Sequence, residues 1–399
     1  MMRTDQTATD LEQRILALIA RGVGQPTSDD EFDALARAVY TYQYEQCAPY
    51  RAYCDHLELT PQSVCHWKEI PAVPTSAFKE FALTCFPVEE AIAEFHTSGT
   101  TQEQAGKHYL RTLELYEAAI RPSFAAHLLR DHVEVNGQDA RSTMNGGGRD
   151  ARPTLLMMAL TPSPQEAPHS SLSHMMGVVM REFGADDSGY YVEGGQLLVE
   201  RLVHDLCEAQ WAHRPVLLLG TAFVFVHLFD HLAQQNLRIE MPAGSLVMET
   251  GGFKGRSREL AKNDLYGLFG KFLGIPATRV VNEYGMTELS TQFYDLTLPM
   301  GRRTDVKAVP PWSRVLVIDP NTGREAANEE RGLIRVFDLA NLWSIMCVQT
   351  EDLGAKRVTK NDGGRDARST LADGFEVLGR AAGVEVRGCS LNAESFSVQ

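Results

Sequence analysis

The sequence predicts an α/β fold with a helical N-terminal region, mixed or parallel sheets flanked by helices, and a small β-rich lobe. Three observations carry this. Apolar residues recur at helical spacing from about residue 10 to 58, short apolar runs alternate with helical patterns from Leu155 onward, and after Trp312 the runs pair like hairpins. The 399 residues are 44% hydrophobic, enough for a large core and two or three lobes. The expected division is an α/β part at about 10–310 and a β-rich lobe at about 311–399.

In chain order, Leu11, Ile15, Leu18 and Ile19 form one helical stripe, and Phe32, Leu35, Ala36, Val39 and Tyr40 another. In Ile70-Pro-Ala-Val-Pro-Thr-Ser-Ala-Phe-Lys79, two prolines followed by Thr and Ser suit an extended stretch and then a capped helix start. Leu155-Leu-Met-Met-Ala-Leu160, Pro215-Val-Leu-Leu-Leu219, Ser245-Leu-Val-Met248 and Arg279-Val-Val281 suit strands covered on both faces. Val315-Leu-Val-Ile318, a turn at Asp319-Pro-Asn-Thr-Gly323 and Gly332-Leu-Ile-Arg-Val-Phe337 suit antiparallel pairing.

Composition narrows the function. Asp plus Glu is 52 against 38 Lys plus Arg, a formal charge of -14, which argues against a general grip on nucleic acid or anionic lipid. The N-terminus mixes acids with apolar residues, unlike a signal peptide, and no run approaches the roughly 20 apolar residues of a membrane span. A cytoplasmic location is expected. The seven cysteines are an odd, scattered set, so free thiols are expected, and Cys54 or Cys65-His66 lacks the further ligands of a zinc site.

Gly146-Gly-Gly-Arg-Asp-Ala-Arg-Pro-Thr-Leu155 and Gly363-Gly-Arg-Asp-Ala-Arg-Ser-Thr-Leu371 repeat each other, with a partial copy from Gly137. The segments 137–153 and 361–371 therefore read as Gly/Arg-rich inserts. Their composition suits surface loops; the alternative is a basic phosphate nest of Arg149, Arg152, Arg365 and Arg368.

Five motifs can carry chemistry. His96-Thr-Ser-Gly-Thr-Thr101 concentrates hydroxyls and flexible backbone that suit phosphate oxygens, with Lys107 as a nearby positive charge; an ordinary turn has the same composition. Glu249-Thr-Gly-Gly-Phe-Lys254 follows an apolar run and offers bare backbone to a planar ring, or simply turns. Asn282-Glu-Tyr-Gly-Met-Thr-Glu288 also follows a strand, where open α/β sheets place ligands. Tyr284 there can stack on a heterocycle, Thr287 bond a phosphate and Glu288 hold Mg²⁺, which prefers hard oxygen ligands; a capped helix start is the alternative. In Gln349-Thr-Glu-Asp-Leu-Gly354, Asp352 can accept both hydroxyls of a ribose or be a surface acid. Last come Gly379-Arg380 and Val386-Arg-Gly-Cys-Ser-Leu391, where Arg387 beside Cys389 favours a thiolate; a cysteine near a terminus is otherwise incidental.

In this order the five motifs resemble those of the adenylate-forming superfamily. Residues 70–79, 249–256, 282–290 and 387–390 are similar to the LuxE-type acyl-protein synthetases, the long-chain fatty acid protein ligases of bacterial bioluminescence, over roughly residues 30 to 395 apart from the inserts. The resemblance implies an adenylate-forming N-terminal-type fold and a two-step reaction, in which a fatty acid is activated by ATP to acyl-AMP and passed to a cysteine thiol. It assigns phosphate binding to Ser98, Gly99, Thr100 and Thr101, with Lys107 standing later than the lysine of the usual pattern, and adenine contact to Gly251, Gly252 and Tyr284. Thr287 and Glu288 take phosphate and Mg²⁺, Asp352 and Arg380 the ribose region, and Cys389 the acyl group. An acyl reductase is the implied partner.

Two departures stand out. Gln102 replaces the usual Gly after the second Thr, and the chain stops at Gln399, so no full C-terminal lobe is expected. A phenylacetate-type acyl- or aryl-CoA ligase and a non-catalytic nucleotide-binding or docking module are the alternatives. Phe223, Phe225, Phe229 and Phe293 suit an acyl pocket or plain core.

Overall fold

The computed structural model describes residues 2–97, 105–129, 155–251, 260–358 and 373–381. Its helices begin with Met2–Ala20, Asp29–Gln46 and Ala48–His56, matching the apolar stripes. The second shows why: Ser28 caps it by accepting from Glu31 N at 3.2 Å, acids fill its first turn, and Phe32, Leu35, Ala36 and Val39 form its buried face. Burying such a side chain contributes roughly 1.5–3 kcal/mol. The capped helix start expected after the two prolines does not form, because Ser76, the residue before the helix Ala77–Glu80, is already in the helical region (φ -60°, ψ -30°) and makes no side-chain cap.

The described residues fall into two units that interleave along the chain. One draws on Met1–Pro122, Met286–Phe293 and Val306–Gln399; the other on Ser123–Gly285 and Tyr294–Asp305. In the first, an antiparallel sheet runs in the order Lys307–Ala308, Asp373–Arg380, Cys347–Val358, Arg331–Asp338, Ser313–Ile318, and Val73–Pro74 pairs parallel with Cys347–Val358. The hairpin foreseen across Asp319 is the pairing of Ser313–Ile318 with Arg331–Asp338.

In the second unit, parallel strands lie side by side in the order Val280–Tyr284, Leu246–Thr250, Val216–Thr221, Leu156–Leu160, Gly189–Tyr190. The runs Leu246–Thr250 and Leu156–Leu160 are buried throughout, the reason they read as unbroken apolar segments. The strand Val216–Thr221 passes directly into the helix Ala222–Gln234, capped by Thr221 accepting from Val224 N. Phe225 and Phe229 belong to the core, each edge-on to Phe269. Among the described residues no helix is long and apolar enough to cross a membrane.

Candidate active site

In the first unit the strands Ala93–His96 and Lys107–Leu110 form an antiparallel hairpin with His96 opposite Lys107. Thr97 and Gly106 close it: Thr97 N donates to Gly106 O at 2.9 Å and Gly106 N to Thr97 Oγ1 at 2.8 Å. A Cβ on Gly106 would meet the Thr97 side chain at 3.1 Å and the Phe78 backbone at 3.3 Å, so the close approach favours glycine. Ser98, Gly99, Thr100 and Thr101 lie outside the described residues. Lys107 Nζ stands 3.7 Å from Glu94 Oε1, which is also 2.8 Å from His96 Nε2. That carboxylate shares the charge of Lys107 with any anion brought to it.

Thr287 and Glu288 sit on a segment of turn and coil that follows the strand Val280–Tyr284; the alternative of a capped helix start is not what forms. Buried groups pin this segment from several sides. His108 Nδ1 lies 2.7 Å from the Thr287 carbonyl, which can only accept, so this nitrogen carries the proton. Burial pushes His108 down to about 4, which keeps the ring neutral. Thr287 Oγ1 donates to the His96 carbonyl at 3.2 Å. Glu288 is buried, and its carbonyl accepts from Asn341 Nδ2 at 2.7 Å.

Farther along, Ser290 N and Thr291 N donate to Asp338 Oδ2 at 2.9 and 2.8 Å. Thr291 Oγ1 and Ala340 N donate to Asp338 Oδ1 at 2.7 and 3.1 Å, and Trp312 Nε1 donates to Thr291 Oγ1 at 3.0 Å. Asp338 has no exposure, and burial raises its pKa against the pull of these donors. Sequence reasoning missed His108, Asp338 and Asn341. The available signal was two polar residues within the apolar stretch Val336-Phe-Asp-Leu-Ala-Asn-Leu-Trp343, a pattern that asks for buried partners.

Asp352 and Arg380, which the resemblance places together at the ribose region, face each other across paired strands, with Arg380 Nε 3.9 Å from Asp352 Oδ1. Arg380 is largely exposed while Asp352 is half-buried, leaving the guanidinium accessible beside its carboxylate.

The second unit carries the remaining residues at the C-terminal ends of its parallel strands, the usual ligand edge of such sheets. Gly251 follows Leu246–Thr250 with φ +71° and open space where a Cβ would stand, so its backbone conformation is what calls for glycine. Gly252 lies outside the described residues. Tyr284 ends the neighbouring strand, half-buried, one position beyond the register pair Glu283 and Thr250. Behind these ends lie two buried acids. Glu249 accepts from Asn282 Nδ2 at 2.8 Å and Tyr266 Oη at 3.1 Å, and Glu283 accepts from the Thr250 hydroxyl. Burial, then the Glu249 charge, pushes Tyr266 well above its ordinary pKa, so it remains a phenol donor. Cys389 and both inserts lie outside the described residues.

The fold is of the adenylate-forming type. It superimposes on 2-hydroxyisobutyryl-CoA ligase in the post-adenylation state in complex with R3-HIB-AMP with a TM-score of 0.64, at 14% identity, covering 90% of this chain and 69% of that one. Residues 123–396 match the family model described as acyl-protein synthetase, LuxE. The chain belongs to that family, and it is a ligase. The long-chain-fatty-acid–luciferin-component ligase of Aliivibrio fischeri is 22% identical over 332 residues, 81% of this chain and 78% of that protein. The ligase of the same name from Vibrio harveyi is 20% identical over 368 residues, 92% of this chain and 88% of that protein.

Proposed function

We propose that the protein activates a long-chain fatty acid with ATP and then loads the acyl group onto the thiol of Cys389 for delivery to a reductase. The observation that carries this is the segment holding Thr287 and Glu288: it is turn and coil rather than helix, and its backbone is held at Thr287, Glu288, Ser290 and Thr291 by buried partners. Family membership and the names of the two bacterial ligases support the choice of substrate.

In the first step a carboxylate oxygen of the acid attacks the α-phosphorus of ATP, an O–P bond forms and pyrophosphate leaves. In the second the Cys389 thiolate attacks the acyl carbon, AMP leaves with the C–O bond pair, and the thiol proton goes to solvent. Both steps bring electron-rich groups together, so fixed donors and charge neutralisation dominate. Ser98, Gly99, Thr100, Thr101, Lys107 and Thr287 serve the phosphates. Gly251, Gly252 and Tyr284 serve the adenine, and Asp352 with Arg380 the ribose. Glu288 suits Mg²⁺, because one carboxylate oxygen donor is what an ion that keeps several waters and binds substrate phosphates needs. When bound, the ion neutralises phosphate charge.

The test is incubation with labelled long-chain fatty acid and MgATP, followed by denaturation. Label that stays on the wild-type chain and is absent from Cys389→Ala is the expected result. Turnover that requires added CoA, with no label on the chain, would contradict acyl-protein synthesis and favour a CoA ligase.

A further inference from the structure

Every polar atom of the Asn341 side chain has a partner within the first unit. Asn341 is 1% exposed; its Nδ2 donates to Glu288 O at 2.7 Å and Ile345 O at 3.2 Å, and its Oδ1 accepts from Ser290 Oγ at 2.6 Å. Carbonyl oxygens can only accept, so the orientation of this amide is fixed by its surroundings. Its loop is fixed in turn by a second buried amide. Gln43, on the helix Asp29–Gln46, donates to Asn341 O at 2.9 Å and Leu342 O at 3.2 Å and accepts from Met346 N at 3.1 Å.

Such an arrangement is costly unless complete, since a buried amide group left without a partner has given up its bonds to water for nothing. The neighbours Leu339, Ala340 and Leu342 are buried and apolar, so packing alone would be served by an apolar residue here. Instead the amide reaches 53 positions back along the chain to the carbonyl of Glu288.

We propose that Asn341 is a positioning residue for acid activation, holding the Glu288 backbone so that the Glu288 carboxylate keeps one orientation toward MgATP. This rests on the assignment of Thr287 and Glu288 to MgATP made above. Gln43 supports it at one remove, by holding the loop from which Asn341 projects. Ser290 is the internal control: its hydroxyl bonds the same amide on the side away from Glu288 O, so its loss leaves the Glu288 contact in place.

The experiment compares Asn341→Ala, Asn341→Asp, Ser290→Ala and Glu288→Gln in acid-dependent ATP–pyrophosphate exchange, varying MgATP and acid separately. Folding is followed by far-UV circular dichroism, and each variant is assayed well below its own Tm. Asn341→Ala is expected to raise the KM for MgATP about tenfold, with the KM for the acid within about twofold of wild type. Asn341→Asp sets a carboxylate oxygen against two carbonyls and should raise it further, while Ser290→Ala stays within about twofold of wild type. A folded Asn341→Ala with unchanged KM for MgATP, while Glu288→Gln has lost exchange, overturns the positioning role alone. Wild-type exchange in Glu288→Gln overturns the underlying assignment. Should Asn341→Ala not fold, Asn341→Ser read in the same way decides.

Discussion

Asp338→Ala removes the acceptor of four hydrogen bonds at once. Ser290 N, Thr291 N and Ala340 N lose their partner in a buried setting, as does the Thr291 hydroxyl, which still accepts from Trp312 Nε1. Each buried donor left open costs about 1–3 kcal/mol. Against this, the variant no longer buries a carboxylate whose pKa burial raises, so part of the loss is returned. The expected net destabilisation of the first unit is about 3 kcal/mol. Asp338→Asn should cost less, because one oxygen still accepts while the amide nitrogen opposes donors on the other side.

Equilibrium unfolding in urea, followed by tryptophan fluorescence, measures this. Of the four tryptophans, Trp67, Trp312 and Trp343 are buried in the first unit, while Trp211 is 81% exposed, so the signal is weighted toward the unit that carries Asp338. The midpoint should fall at unchanged slope. An Asp338→Ala protein within about 1 kcal/mol of wild type would refute the claim that this carboxylate holds the segment.

Two further outcomes are expected. His108 is pushed down to about 4, so the fold favours its neutral form; the stability this contributes is present above the ordinary value of 6.5 and is lost as pH falls toward 4. The full loss is about 3 kcal/mol, and His108→Asn, which does not titrate there, should show a correspondingly shallower fall in Tm between about pH 7 and about pH 4; equal slopes would contradict it. Cys389→Ala should keep acid-dependent exchange within about twofold of wild type, because the thiol enters only after the adenylate forms; loss of exchange in a folded variant would place the cysteine in the first step.

Much of the fold was legible because its strands are covered on both faces. Leu156–Leu160 and Leu246–Thr250 are buried along their whole length, so each reads as an apolar run without knowledge of the neighbours. The pairing of Ser313–Ile318 with Arg331–Asp338 was legible from the turn residues between them. Interleaving of the units was not, since local pattern carries no sign that Met286–Phe293 groups with distant segments. The same limit hid the site's support: Asp338 and Asn341 find Ser290 and Glu288 at separations of 48 and 53 positions. Asp352 and Arg380 were associated through the family resemblance, and strand register is what sets them opposite each other.

The most direct measurement is exchange of labelled pyrophosphate into ATP by the full chain, with Mg²⁺ present and acids from acetate to long-chain fatty acids offered in turn. Exchange that depends on the acid, is strongest with a long chain and is lost in Glu288→Gln is the predicted result. No exchange with any acid, from a folded protein, would contradict acid activation by this ligase.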